Sequence, residues 1–99
     1  MNQATYASDK HVIALLKSVY GKDFSQMNQV CKMQFRAVLA YFDLHRHTQQ
    51  NPVVVMAEAM EEVAPELEAS EQEEHLKWCC HLSSEGLDYL IIDLSTSLL

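Results

Sequence analysis

Apolar residues recur along this chain at intervals of three and four, the period of a helix buried on one side. Val12, Leu15, Leu16 and Val19 mark a first helix, which Ser8 can cap and which Gly21 can close in a left-handed conformation. Residues 1–7 before it are expected to be a flexible lead. A second helix starts at a cap on Asp23 or Ser25 and runs to about Thr48. It carries two stripes, one of Cys31, Phe35, Val38 and Phe42, the other of Val30, Met33, Ala37, Ala40 and Leu44. A helix apolar on two sides is either central in a bundle or shared with another chain. Asn51 followed by Pro52 is a start signal for a third helix, with Val53, Met56, Met60 and Val63 as its inner stripe. Val53-Val54-Val55 is locally strand-like, but the spacing after it is helical and no turn closes a hairpin. Pro65 ends this helix or begins a short turn.

The last segment opens on Ser70 and Glu73, the spacing of a capping box. Its inner positions Leu76, Cys80, Ser83, Leu87, Leu90 and Leu94 keep a heptad through Gly86, which predicts one long helix. The competing arrangement breaks near Ser83-Ser84-Glu85-Gly86, with Ser84 capping a fifth helix. The expected fold class is therefore an all-α helical bundle of four helices, or five, forming a single domain over 1–99.

On a continuous helix turning about 100° per residue, Trp78 falls roughly 160° from the inner face. Leu82, Tyr89 and Ile92 continue its stripe. That second apolar face needs cover from another helix of the chain, a second copy, or a different protein. Trp and Tyr are enriched at interface hot spots, so the four residues are candidate partner-binding positions and the chain is expected to be a homodimer.

"HLKWCCH", residues 75–81, raises the question of a metal or redox site. His75 and Cys79 share a helical side, but Cys80 and His81 point elsewhere, so one helix supplies two ligands at most. A four-ligand zinc site would need Cys31, His45 or His47 brought in from the second helix. No C-x-x-C pair fixes such a geometry. Buried cysteine is commonly a small hydrophobe, so the expectation is no metal and no cofactor, with His75, Cys79, His45 and Cys31 as the alternative set.

Charge sharpens the picture. Residues 1–50 hold six basic side chains against Asp9, Asp23 and Asp43, whereas 51–99 hold Lys77 against eleven acids. The net −7 is thus a +3 half joined to a −10 half. Glu58, Glu61, Glu62 and Glu66 begin an acidic belt, which is either a solvated face, a face neutralised by the N-terminal lysines, or a surface for a basic partner.

With two glycines and two prolines in 99 residues, the composition favours globular helix over disorder or strand. The N-terminus shows no apolar run of a secretory signal and no segment is long enough to cross a bilayer. Three cysteines, an odd number, argue for reduced thiols. The expected compartment is the cytoplasm. Phosphate-loop, G-x-S-x-G, H-E-x-x-H and EF-hand patterns are absent, so no enzyme is expected. The net charge disfavours direct nucleic-acid binding, although the first two helices around "YGKDFS" offer an alternative helix-turn-helix regulator. The favoured function is a small acidic, non-enzymatic protein-binding module of inhibitor, immunity or adaptor type, acting on a basic protein, for example a nucleic-acid-binding one. The remaining alternative is a zinc- or thiol-dependent protein using His75 and Cys79.

Overall fold

The computed structural model describes the backbone of residues 2–48 and 51–98, and the side chains of 9–47 and 51–98. Among the described residues the fold is all-α: α1 (Asn2–Tyr20), α2 (Gln29–His45), α3 (Pro52–Val63), α4 (Glu71–Lys77) and α5 (Ser84–Ser97). Single 3-10 turns follow α2, α3 and α4, at Arg46–Thr48, Pro65–Leu67 and Trp78–His81. The Cα radius of gyration is 12.6 Å, close to the ~13 Å of a close-packed 100-residue domain.

Several punctuation marks act as the spacing predicts. Gly21 sits at φ +92° directly after α1, its N–H donating to Lys17 O at 2.8 Å. The Asn51 side chain caps α3 by accepting from Val53 N at 3.0 Å, with Pro52 as first helical residue. Pro65 opens the predicted turn.

Other starts move, each for a local reason. α1 is helical from Asn2, so Ser8 does not cap it. The backbone of residues 2–7, expected to be part of a flexible lead, belongs to this helix, and Met1 and the side chains of 1–8 lie outside the described residues. α2 is capped by Asn28, whose side chain accepts from Cys31 N at 2.8 Å, in place of Asp23 or Ser25. The residues between are spent on a turn in which Phe24, at φ 57°, inserts its ring into the core. Ser70 does precede α4, but its hydroxyl donates back to Leu67 O, and Glu73 accepts from Ala69 N at 2.5 Å. The box is therefore not formed: the Ser70 hydroxyl caps no helix N–H, and Glu73 reaches back to Ala69 instead of Ser70.

The long last helix is a correction. The chain leaves α4 at Lys77, tightens through the 3-10 turn, becomes extended at Leu82 (ψ 144°) and restarts at α5. The cap is Ser83, not Ser84, and its Oγ accepts from Gly86 N at 3.1 Å.

The core gathers Leu16, Tyr20 and Phe24 from the first third of the chain with Phe35, Val38, Leu39 and Phe42 of α2. Val55, Met56, Ala59 and Met60 of α3 and Leu87, Leu90 and Leu94 of α5 close over them. α3 is thus rotated from its predicted inner stripe: Met56 and Met60 are inside, while Val53 and Val63 are exposed. α2 makes its largest contacts with α5 and α3. Its Cys31–Phe42 stripe is buried against them, while Val30, Met33 and Leu44 stay exposed. α2 is central on one side only.

Candidate functional site

A continuous helix would draw Trp78, Leu82, Tyr89 and Ile92 onto one face, and the break at Leu82 separates them. Leu82 is 1% exposed and belongs to the core. Trp78 lies half-buried against that core, its ring 4.7 Å from the His75 ring. Tyr89 and Ile92 are exposed on α5. The Tyr89 hydroxyl accepts from Lys17 Nζ at 2.7 Å, and the ammonium also stands 5.0 Å from the ring centroid and 3.5 Å from Asp93 Oδ2. These contacts hold the Lys17 pKa above its ordinary value, the Tyr89 bond contributing most. Trp78, Leu82, Tyr89 and Ile92 therefore form no single stripe, and Leu82 offers nothing to a partner.

The break itself is an assembled joint. Arg46, just past α2, donates from Nη1 to Leu82 O at 2.5 Å. Asp9 of α1, buried at 5% exposure, accepts from Ser83 N at 3.0 Å through Oδ1 and from Ser83 Oγ through Oδ2. One carboxylate thus satisfies the backbone donor of the cap, orients its hydroxyl toward Gly86 N, and stands at the positive end of α5. Gly86 leaves the room: a Cβ there would lie 2.9 Å from Asp9 Cγ and Oδ2. Sequence reasoning missed this joint, because Asp9 and Ser83 are 74 positions apart and no spacing links them.

The Cys/His cluster is structural in its environment. Cys79 and Cys80 are buried, and the Cys79 thiol donates to His75 O of its own turn at 3.7 Å. His75 Nδ1 is engaged by the Tyr20 hydroxyl, and Tyr20 also packs edge-on to His75 and Phe35. Among the described residues no group of three or more His, Cys, Asp or Glu is placed to hold a metal ion. The alternative set of His75, Cys79, His45 and Cys31 is therefore not brought together as ligands.

Burial pushes the Cys80 thiol up to about 11 and raises Cys79 and Cys31 as well. Burial raises the Tyr20 phenol too, with Cys31, Glu71 and Cys79 adding to the shift. These groups favour their neutral forms in the fold. The unfolded chain releases its thiol protons near the ordinary value of 9.0 while the folded chain still holds them. Above that pH the unfolded state binds fewer protons, so stability falls with rising pH. Urea midpoints should be flat with respect to these groups below about pH 8 and decline from about pH 9 upward. A midpoint unchanged at pH 10.5 would show that the thiols and Tyr20 ionise freely in the folded protein.

The acidic belt is displayed as predicted. Glu58, Glu61 and Glu62 on α3 and Glu66 in the following turn are all exposed. None forms an ion pair with a described residue; the Lys17 and Lys77 pairs lie elsewhere, with Asp93 and Glu73. Neutralisation by the N-terminal lysines is not what the structure shows. Glu66 does meet α2, accepting from Gln34 Nε2 at 3.5 Å.

Comparison with known protein families, curated proteins and solved structures finds no match. Function must be argued from these surfaces alone. No described helix is long and apolar enough to cross a membrane. A groove of about 520 Å³ between α1 and α5 is lined by Lys10, Ile13, Lys17, Glu85 and Tyr89 over Asp9 and Gly86. Its charges are of both signs, and Asp9 is already committed to the joint. The outward side of α2 presents Val30, Met33 and Leu44 where a groove-reading helix needs polar and basic side chains.

Proposed function

We propose that this protein is a non-enzymatic binding module that docks a basic protein through its acidic belt. The observation that supports this reading is Glu58, Glu61, Glu62 and Glu66 standing exposed with no ion pair to a described residue, on a chain whose basic residues fall almost wholly in the other half. Like charges on one helix face repel by a few tenths of a kcal/mol per pair, so the fold carries a small cost that a cationic partner would reverse. Such a field accelerates encounter more than it tightens the complex. An inhibitor, immunity or adaptor role in the cytoplasm fits that physics.

The test uses the whole chain as bait in extract from its own source, with Glu61→Lys/Glu62→Lys as the matched bait. A protein retained by the first and lost by the second is identified by mass spectrometry and purified. Its association rate is then followed by stopped flow. The expected results are a basic partner, a rate falling about tenfold or more with added salt, and a comparable fall on charge reversal. Exposed reversals should leave stability within about 0.5 kcal/mol. A rate indifferent to both salt and reversal would return the belt to a merely solvated face.

A further inference from the structure

Val30, Met33, Ala37, Ala40 and Leu44 alternate steps of three and four along α2, the seam of a two-helix coiled coil. At about 100° per residue the five fall within an arc of about 80°. The arc's centre lies opposite the face that Cys31, Phe35, Val38, Leu39 and Phe42 bury in the core. Val30, Met33 and Leu44 are 63%, 51% and 71% exposed. Among the described residues nothing covers Val30, Met33 and Leu44 of this seam.

The charges beside the seam identify its occupant. Arg36 and Asp43 border the same edge of the seam, and among the described residues neither forms an ion pair. They are two full turns apart on one helix, about 10 Å in rise, beyond a direct bond within α2. Asp43 is half-buried. An antiparallel copy of α2, with the two-fold axis between positions 38 and 39, supplies both partners at once. Ala37 then faces Ala40 of the copy, and Met33 faces Leu44 of the copy. Arg36 reaches Asp43 of the copy, and the symmetry repeats the pair. The central alanines let the helix axes approach to about 8 Å, the near end of the usual range. Sliding the register toward the N-terminus by one set of layers sets Arg36 against Arg36 of the copy. Parallel packing brings Arg36 beside Tyr41 and gives Asp43 no cation. Of these arrangements, only the first pairs Met33, Ala37, Ala40 and Leu44 across the seam and gives both charges a partner, with Val30 set beside His47 of the copy.

We infer that the outward seam of α2 is a homodimer interface, formed with an antiparallel second copy and fixed in register by reciprocal Arg36–Asp43 ion pairs. The inference does not depend on the acidic belt, and its residues can be changed without touching Glu58–Glu66. Sedimentation equilibrium on the whole reduced chain is the test, with far-UV circular dichroism confirming that each variant stays helical. Wild type should be dimeric at about 100 µM, an affinity in keeping with a small interface. Arg36→Asp and Asp43→Arg each place like charges across both pairs, and each should raise the dimer Kd about tenfold or more. The double variant Arg36→Asp/Asp43→Arg restores both pairs with reversed signs and should return Kd to within about threefold of wild type. Met33→Lys should leave only monomer. Mixing Ala37→Cys with Ala40→Cys protein under mild oxidation should give the mixed disulfide in preference to either self-pair. A wild-type monomer at that concentration overturns the inference. So does a dimer indifferent to Met33→Lys, or a double reversal no better than the singles.

Discussion

Leu82→Ala should destabilise the protein by about 2–5 kcal/mol, whereas Ile92→Ala should change stability by no more than about 0.5 kcal/mol. Both residues lie on one stripe if Trp78–Ile92 is a continuous helix, and the two substitutions would then act alike. In the structure Leu82 is 1% exposed and Ile92 64%. Removing the Leu82 branch leaves a void among packed neighbours and pulls on the backbone whose carbonyl Arg46 holds. Removing side-chain atoms from Ile92 leaves water where water already is. Urea denaturation followed by circular dichroism reads both values. A small effect at Leu82, or a large one at Ile92, would mean that the turn at 78–81 and the extended residue after it are misplaced.

That contrast also shows what periodicity can and cannot carry. Leu76, Cys80, Leu87, Leu90 and Leu94 face inward as the heptad required, while its remaining position, Ser83, is the half-buried cap of α5. Their spacing survives the break because the restart at Ser83 brings α5 back to the same core. Inward spacing therefore cannot distinguish one helix from two, and the opposite stripe was an artefact of assuming one. Gly21 and Asn51-Pro52 were legible because their chemistry is local: a left-handed residue after a helix, a side-chain acceptor before one. Asn28 and Ser83 were not, because tertiary packing decides between neighbouring candidates. The Phe24 ring draws the chain inward ahead of α2, and Asp9 selects Ser83 over Ser84. Of the candidate site, the exposed glutamates were legible, since like charges without cations have nowhere to go but solvent. The second stripe of α2 was legible as well. That it is the uncovered one depended on which side α3 and α5 chose.

The joint between α1 and α5 gives the other large effect, and it has a sign that contacts alone would not suggest. Asp9→Ala should cost about 2–4 kcal/mol, since it strands the Ser83 N–H and removes the anion at the start of α5. Gly86→Ala ordinarily gains up to about 1 kcal/mol in helix propensity. Here its Cβ would sit 2.9 Å from the Asp9 carboxylate and 3.2 Å from Leu82 Cδ2. Asp9 is short and pinned by two bonds to Ser83, so it cannot yield without releasing the cap. Overpacking should win, making Gly86→Ala destabilising by about 1–2 kcal/mol in the wild-type background. In the Asp9→Ala background the carboxylate is gone and its bonds are already lost, which leaves the 3.2 Å approach to Leu82 Cδ2 as the one tight contact named for the new Cβ. Gly86→Ala should then be neutral or stabilising by up to about 1 kcal/mol. The double-mutant cycle measured by urea unfolding should accordingly show a coupling of about 1–3 kcal/mol. Strict additivity would mean that Asp9 and Gly86 act on α5 independently, and that the clasp seen between α1 and α5 does not hold the fold together.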